Sequence, residues 1–294
     1  MAPIISPPPL HLGVLNCGNS VPSIATAINR RSFLLTATSV PLLNTPKSNV
    51  QPPDTTITDR VFIDFSICPT YFRSDRTLSD DVASLCADAV PLGRLVFGLY
   101  GRVVPVTVSN FKTLCSSGLY RNTLVHKILP GHYFSAGRQG RRERGELVLK
   151  EPLKLERNAE SVDPKAFDLT HYKGGVLSLC LSENDDEESV KLDPDYRNAQ
   201  FLITTGPGPC PELDYKNIVF GTVLEGLDVI AAINSIPTYK PSDRIRQFNE
   251  LAQFLGDERA QIARGIWNKP LKTIYISDCG VVQVAKPSLP PTLP

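Results

Sequence analysis

The sequence lacks the residue spacings that commonly mark metal and redox sites. Its seven cysteines form no C-x-x-C pair, and its four histidines never occur at H-x-x-x-H spacing. These absences argue against a zinc site and against a thioredoxin-like motif, and no metal is predicted. Six cysteines follow residue 53 and allow fifteen complete pairings, among which the sequence does not choose. A Cys68–Cys86 bridge is one option.

Long apolar runs and a strong net charge are also missing. No stretch approaches the roughly 20 apolar residues of a membrane-spanning helix, so no stable membrane insertion is predicted. The net charge of +1, from 31 basic and 30 acidic residues, gives no electrostatic basis for nucleic-acid binding. Apolar residues make up 41% of the 294 residues, which is enough to bury a substantial core.

Acidic residues are absent from the first 53 positions, and Asp54 is the first of them. The segment is rich in Ser, Thr, Pro and Ala, as organellar transit peptides are. Within it, Arg30-Arg31 precedes an apolar run that ends at Leu43. We therefore predict a transit peptide plus a twin-arginine-type signal at 1–53, which directs the protein to the chloroplast thylakoid lumen. The alternative is a chance arginine pair inside a simple stromal or mitochondrial presequence.

Alternating apolar residues predict a series of strands after this segment. The predicted strands are 61–67, 93–100, 124–129, 174–181, 199–204, 217–223 and 272–278. Apolar residues at helical spacing follow Pro105 and recur at Leu227, Ile230 and Ile233. Several strands with few crossover helices predict a mainly β fold, a single closed antiparallel sheet with helical caps.

A further amphipathic helix is predicted from the spacing of Ile245, Phe248, Ala252 and Leu255. We expect Phe248 and Leu255 to pack against the barrel rather than to remain free for a partner.

Two charged segments are predicted to be solvated loops. Arginines and glutamates alternate between 138 and 158, which favours a solvated loop over an anion site. The acidic segment from 183 to 195 lacks the spacing and the central glycine of a calcium loop. We expect this second segment to be a mobile loop exposed to water.

The stretch from 124 to 137 is the candidate working surface. Lys127 shares one face of a strand with Val125 and Leu129, and Pro130-Gly131 then predicts a tight reversal. His126 points to the opposite face, so we interpret it as a structural residue rather than as a base.

In their order, these patterns resemble the cyclophilins, which are barrel-forming peptidyl-prolyl cis-trans isomerases. The matching segments are 91–97 with Asn110-Phe111, 125–131, 175–178, 199–201, 213–214, 219–221 and 278–280. The resemblance spans about residues 59–284. It implies an eight-stranded antiparallel closed barrel capped by two helices.

The resemblance also sets the predicted domain organisation. A cyclophilin-like domain occupies 54–286, with extra segments at about 67–90 and 238–269, the second of them helical. A proline-rich tail, predicted to be loose, follows at 287–294.

The resemblance implies a proline-binding pocket beside one catalytic donor, and it implies no cofactor. Lys127 takes the position of the family's catalytic arginine. The implied substrate-binding residues are His132, Tyr133, Ser135, Cys180, Leu181, Gln200, Leu202, Glu212, Leu213 and Asn217. Most of these differ from the family's usual residues, whereas Gln200 and Leu213 are kept.

Two functions are therefore weighed. The first is a weak isomerase that assists the folding of proline-containing polypeptide clients. The alternative is a non-catalytic chaperone or assembly module that keeps the barrel. No pattern in the sequence predicts an oligomeric state.

Overall fold

The computed structural model describes residues 53–69, 88–149, 153–283 and 287–290. The predicted targeting segment and most of the predicted insertion at 67–90 lie outside these residues, as does Cys86. Cys68 is disulfide-bonded, whereas the other cysteines of the described ranges are free thiols. In these same ranges no helix has both the length and the apolar character that a membrane crossing requires.

Eight strands form one antiparallel sheet. They are β1 (Asp59–Ile67), β2 (Val90–Leu99), β3 (Val125–Leu129), β4 (Tyr133–Ala136), β5 (Val176–Leu179), β6 (Phe201–Thr204), β7 (Ile218–Glu225) and β8 (Ile274–Val282). Their order is β3-β4-β6-β5-β7-β2-β1-β8. The two outer strands meet through the bridge between Leu124 and Tyr275 and through the 2.8 Å hydrogen bond from Asn122 N to Ile276 O. The sheet is therefore a nearly closed barrel, as predicted.

The apolar residues that alternate in the sequence lie on the inner face of the barrel, and the residues between them lie on its outer face. In β1, Val61, Ile63 and Phe65 are fully buried, whereas the residues between them are partly exposed. Successive side chains of a strand point to opposite faces, so a period of two places one set inside. The main core lies within this barrel and under two helices.

Those two helices are α1 (Pro105–Ser116) and α3 (Leu227–Asn234). Proline occupies the first position of α1, where its missing N–H loses no helical hydrogen bond. α1 packs on β8 and β1, and α3 packs on β2 and β3. A short helix, α2 (Glu188–Lys191), lies within the acidic segment.

The predicted insertion at 238–269 is helical, and its two ends lie next to each other. Tyr239 N donates to Lys269 O at 2.8 Å, and Asn268 N donates to Tyr239 O at 2.9 Å. Between these ends lie α4 (Asp243–Phe254) and α5 (Glu258–Arg264), which pack on each other.

The prediction that α4 packs its apolar side against the barrel is wrong. Phe248 is 67% exposed and Leu255 is 73% exposed. The reason is that α4 is held by α5 through a polar contact. The buried Asn249 donates from Nδ2 to Ala260 O at 2.8 Å, and its Oδ1 accepts from Arg264 Nε at 2.6 Å.

The start of the proline-rich tail is paired with the barrel, whereas the sequence predicts a loose tail. Ser288 exchanges two backbone hydrogen bonds with Ile57, at 2.7 Å and 3.2 Å. Because Ile57 is fully buried, this short antiparallel bridge fixes the start of the tail to the barrel.

Candidate functional site

The candidate site is centred on the hairpin formed by β3 and β4. Its turn contains Gly131, whose φ of +81° is a conformation that glycine adopts without strain. The register pairs Lys127 of β3 with Ser135 of β4. Tyr133, the first residue of β4, follows the turn directly. The hairpin thus places Lys127 and Tyr133 side by side.

A carboxylate joins these two side chains. Lys127 Nζ lies 3.2 Å from Oε2 of Glu183, and the Tyr133 hydroxyl donates to the same oxygen at 2.6 Å. The ammonium also lies 5.8 Å from the centroid of the Tyr133 ring. Burial, reinforced by the negative charge of Glu183, raises the pKa of Tyr133 well above its ordinary value. The hydroxyl is therefore a proton donor throughout the physiological range.

The apolar side chains beside this contact, which form the apolar wall of the site, pack against one another and are almost inaccessible to solvent. Tyr133, Leu202 and Leu213 form a small buried cluster with two cysteine thiols, and each of the three is at most 2% exposed. This cluster is separate from the main core, and Leu129 packs against it.

Two buried amides hold the loop that supplies Glu183. Asn217 accepts hydrogen bonds at Oδ1 from the backbone N–H groups of Leu181 and Ser182, at 2.8 Å and 3.1 Å. Gln200 donates from Nε2 to the carbonyl oxygen of Glu183 at 3.3 Å. Because both amides are fully buried, they fix the loop from inside the protein.

The outer rim of the site carries a second acid–base contact. His132 Nδ1 lies 2.8 Å from Oε1 of Glu212, and both side chains are about half exposed. The hydrogen bond from His132 lowers the pKa of Glu212 below its ordinary value.

Comparisons with known proteins agree with this architecture. Residues 86–250 match the family model described as "Cyclophilin type peptidyl-prolyl cis-trans isomerase/CLD". This chain belongs to the cyclophilin family. It is 63% identical over 245 residues to "Peptidyl-prolyl cis-trans isomerase CYP28, chloroplastic" of Arabidopsis thaliana, covering 82% of this chain and 87% of that relative.

Two further cyclophilins illustrate the range of its relatives. A 25% identity over 218 residues relates the chain to "Peptidyl-prolyl cis-trans isomerase CYP26-2, chloroplastic" of Arabidopsis thaliana, covering 67% of each. A 29% identity over 166 residues relates it to the human "Probable inactive peptidyl-prolyl cis-trans isomerase-like 6", covering 52% of this chain and 47% of that relative. The names of the two plant relatives support a chloroplast location.

The cyclophilin fold gathers the predicted site residues in one region, but most of them are covered. His132 and Glu212 are exposed, and Lys127 and Leu181 are partly exposed. The buried members of the predicted set are Tyr133, Ser135, Cys180, Gln200, Leu202, Leu213 and Asn217. Contact between a substrate and the buried members requires their neighbours to move, and their role in binding stays a prediction.

The acidic segment behaves differently from the solvated, mobile loop that we expect from the sequence. Asp186 is buried, and it accepts hydrogen bonds from Gln139 N at 2.8 Å and from the Tyr196 hydroxyl at 2.7 Å. The expectation is therefore wrong for this residue. Its carboxylate is buried because several protein donors replace its water.

The neighbouring Asp185 reaches the other face of β3. Its Oδ1 lies 3.4 Å from His126 Nε2, and its Oδ2 lies 3.9 Å from Arg138. Burial alone raises the pKa of Asp185, but the opposing contributions of His126 and Arg138 are larger, so the pKa lies below its ordinary value. Arg138 also pairs with Glu146 at 3.3 Å. Its charge is thus balanced by acids of the protein. The prediction of a solvated loop at 138–158 is wrong for Gln139 and Glu146, which are buried.

Sequence reasoning missed Glu183 and Asp185 as parts of the site. The available signal was the adjacent pair of basic side chains on β3. His126 and Lys127 face opposite sides of one short strand, and basic groups that are buried or partly buried need acceptors on each side. The acidic segment supplies one carboxylate to each of them.

Proposed function

We propose that this cyclophilin catalyses cis–trans isomerisation of X-Pro bonds in polypeptide clients at a low rate, with Lys127 as the donor. The barrier to rotation is about 18–20 kcal/mol because twisting the bond breaks amide resonance. A fixed hydrogen-bond donor that reaches the proline nitrogen stabilises the twisted state, in which the lone pair of the nitrogen is freed.

The observation that carries the proposal is the position of the ammonium group. Lys127 Nζ lies next to Tyr133, and its side chain is partly accessible. The sequence resemblance implies that Lys127 takes the position of the family's arginine. Two features favour a low rate. An ammonium on a flexible chain is a less rigid donor than a planar guanidinium, and Glu183 already occupies it.

The test is an isomerase assay of the full chain on a series of X-Pro peptides, together with its Lys127→Ala variant. Loss of a well-placed donor lowers rates by about 10²–10³. We expect a smaller loss, of at least about tenfold, because Glu183 already holds the donor. Lys165→Ala, an exposed lysine away from the hairpin, is the matched control. Equal activity of Lys127→Ala and the wild type contradicts the proposed role of Lys127.

A second function, client binding without catalysis, is favoured by the covered apolar wall. Burying the three methylenes of a proline ring is worth roughly 2–2.5 kcal/mol at about 0.8 kcal/mol for each CH₂. With Tyr133, Leu202 and Leu213 all covered, this contribution is not available unless the cluster opens. Undetectable isomerisation combined with suppression of client aggregation by the full chain supports this function over the first.

For the site of action we propose the thylakoid lumen. The support is the acid-free segment 1–53 with its Arg30-Arg31 pair, together with the chloroplast names of two relatives. Import of the full chain into isolated chloroplasts tests it. We expect Arg30→Lys combined with Arg31→Lys to leave the protein in the stroma, whereas the wild type reaches the lumen. Lumenal arrival of the double variant contradicts the twin-arginine route.

A further inference from the structure

Three side chains with metal-binding atoms converge at the outer rim of the candidate site. The nearest ligand atoms of His132, Cys210 and Glu212 all lie within 4.8 Å of one another. His132 ends the turn of the β3–β4 hairpin. The other two belong to the segment before β7, where Pro211–Leu213 forms a short 3-10 helix.

The ligand atoms of the three residues are close enough together to share one ion. His132 Nδ1 and Glu212 Oε1 are 2.8 Å apart, and Cys210 Sγ lies 3.6 Å from the carbonyl oxygen of His132. The Cys210 backbone is anchored by its N–H, which donates to His171 O at 2.8 Å. The Cys210 side of the cluster is therefore fixed by a backbone hydrogen bond.

The exposure of the three residues gives the cluster an inner wall and an open mouth. Cys210 is buried, whereas His132 and Glu212 are about half exposed. An ion arriving from solvent thus meets the imidazole and the carboxylate first, and the thiol then closes the site from inside.

The donor chemistry selects the class of metal. A nitrogen, a sulfur and a single carboxylate form a borderline-soft set, of the kind that binds Zn²⁺. Mg²⁺ and Ca²⁺ prefer shells made of oxygen ligands. Three protein ligands leave a fourth tetrahedral position for water. We propose that His132, Cys210 and Glu212 bind one zinc ion at the outer rim of the candidate site.

Zinc binding at this site replaces existing contacts and releases a proton. The His132–Glu212 hydrogen bond is exchanged for two metal–ligand bonds, and the Cys210 thiol loses its proton to solvent as the thiolate binds the ion. The affinity for zinc therefore increases with pH.

The proposal is tested by titrating the full chain with ZnCl₂ in a calorimeter and with CoCl₂ in a spectrophotometer. We expect a zinc affinity that His132→Gln, Cys210→Ser and Glu212→Gln each weaken by at least about tenfold. A near-ultraviolet thiolate-to-cobalt band is expected in the wild type and absent in Cys210→Ser. MgCl₂ is expected to give no binding at the same concentrations.

Cys180→Ser is the matched control, because Cys180 is a free thiol in the same buried cluster but lies outside the three ligands. It is expected to keep the cobalt band and the zinc affinity. His132→Gln changes a half-exposed side chain, so its effect can be measured in a folded protein, which circular dichroism verifies. Absence of zinc binding by the wild type overturns the proposal, and so does a cobalt band that persists in Cys210→Ser. Zinc affinity that is unchanged in all three variants overturns it equally.

Discussion

The ammonium of Lys127 and the carboxylate of Glu183 form an ion pair, with Nζ and Oε2 3.2 Å apart. Glu183 comes from the acidic segment, 56 residues further along the chain. Tyr133 donates its hydroxyl to the same carboxylate oxygen. The Lys127 ammonium is therefore already paired before a substrate arrives, and a single substitution of Glu183 removes its partner.

Replacing Glu183 with glutamine is expected to raise isomerase activity. A partly exposed ion pair is worth about 0.2–1 kcal/mol, so the released ammonium raises kcat/KM by up to about fivefold. The measurement is the peptide assay described above. Glu188→Gln makes the same chemical change at a largely exposed position of the same segment, and it is expected to leave the rate unchanged. A fall in kcat/KM for Glu183→Gln is the opposite outcome, and it indicates that the carboxylate positions Lys127.

Removing the Tyr133 hydroxyl is expected to destabilise the fold. Tyr133→Phe keeps the buried ring but deprives the Glu183 carboxylate of a 2.6 Å hydrogen bond. Hydrogen bonds to charged groups contribute about 1.5–3 kcal/mol, and because Lys127 remains as a partner we expect a loss of about 1–2 kcal/mol. Urea denaturation measures the change in the free energy of unfolding. Tyr215→Phe, at an exposed tyrosine, serves as the reference and should differ little from the wild type.

The contribution of Asp185 to stability should depend on pH. Its pKa in the folded protein lies below the ordinary value of 3.8, so its ionised form is favoured by folding. That stability is fully present above pH 3.8 and is lost as the pH falls from there toward the folded-state pKa. Asp185→Asn is therefore expected to reduce the free energy of unfolding by about 1 kcal/mol at neutral pH. The difference from the wild type shrinks in denaturation curves recorded below pH 3.8, and a difference that is constant down to the acid range rules out this linkage.

Alanine substitution of two adjacent residues of α4 is expected to change stability by very different amounts. Asn249 is buried between α4 and α5, whereas Phe248 is 67% exposed. Asn249→Ala removes both hydrogen bonds to α5 and is expected to destabilise the helical pair by about 2 kcal/mol. Phe248→Ala should stay within about 0.5 kcal/mol. Hydrogen exchange of the α4 and α5 amides resolves the two effects, and equal protection in both variants contradicts the assigned packing.

The barrel itself could be predicted from the sequence because its determinants are local. An apolar residue at every second position places Val61, Ile63 and Phe65 on one face whatever lies elsewhere in the chain. Pro105 and Gly131 act through their own backbone preferences in the same way. The order of the short family motifs then indicated an eight-stranded barrel and the position of the helical insertion.

The candidate site could be predicted only by residue position, and its contacts could not. The acidic segment contains several carboxylates of similar spacing, and nothing local distinguishes those that bind water from those that bind protein. Asp186 is buried because folding brings Gln139 and Tyr196 to it, whereas a solvated segment is what its composition indicates. The packing of α4 on α5 rather than on the barrel is likewise decided by contacts that the local sequence does not indicate.

The sequence by itself determined a mainly β cyclophilin barrel, the place of Lys127 on its third strand and an acid-free leading segment. The tertiary structure alone decided that Glu183 holds Lys127, that the apolar wall is covered and that His132 meets Cys210 and Glu212. The physical reason is the sequence separation over which each kind of interaction acts. Backbone periodicity and turn preferences act over a few residues, whereas these partners are separated by about 50–80 positions and meet only when the barrel closes.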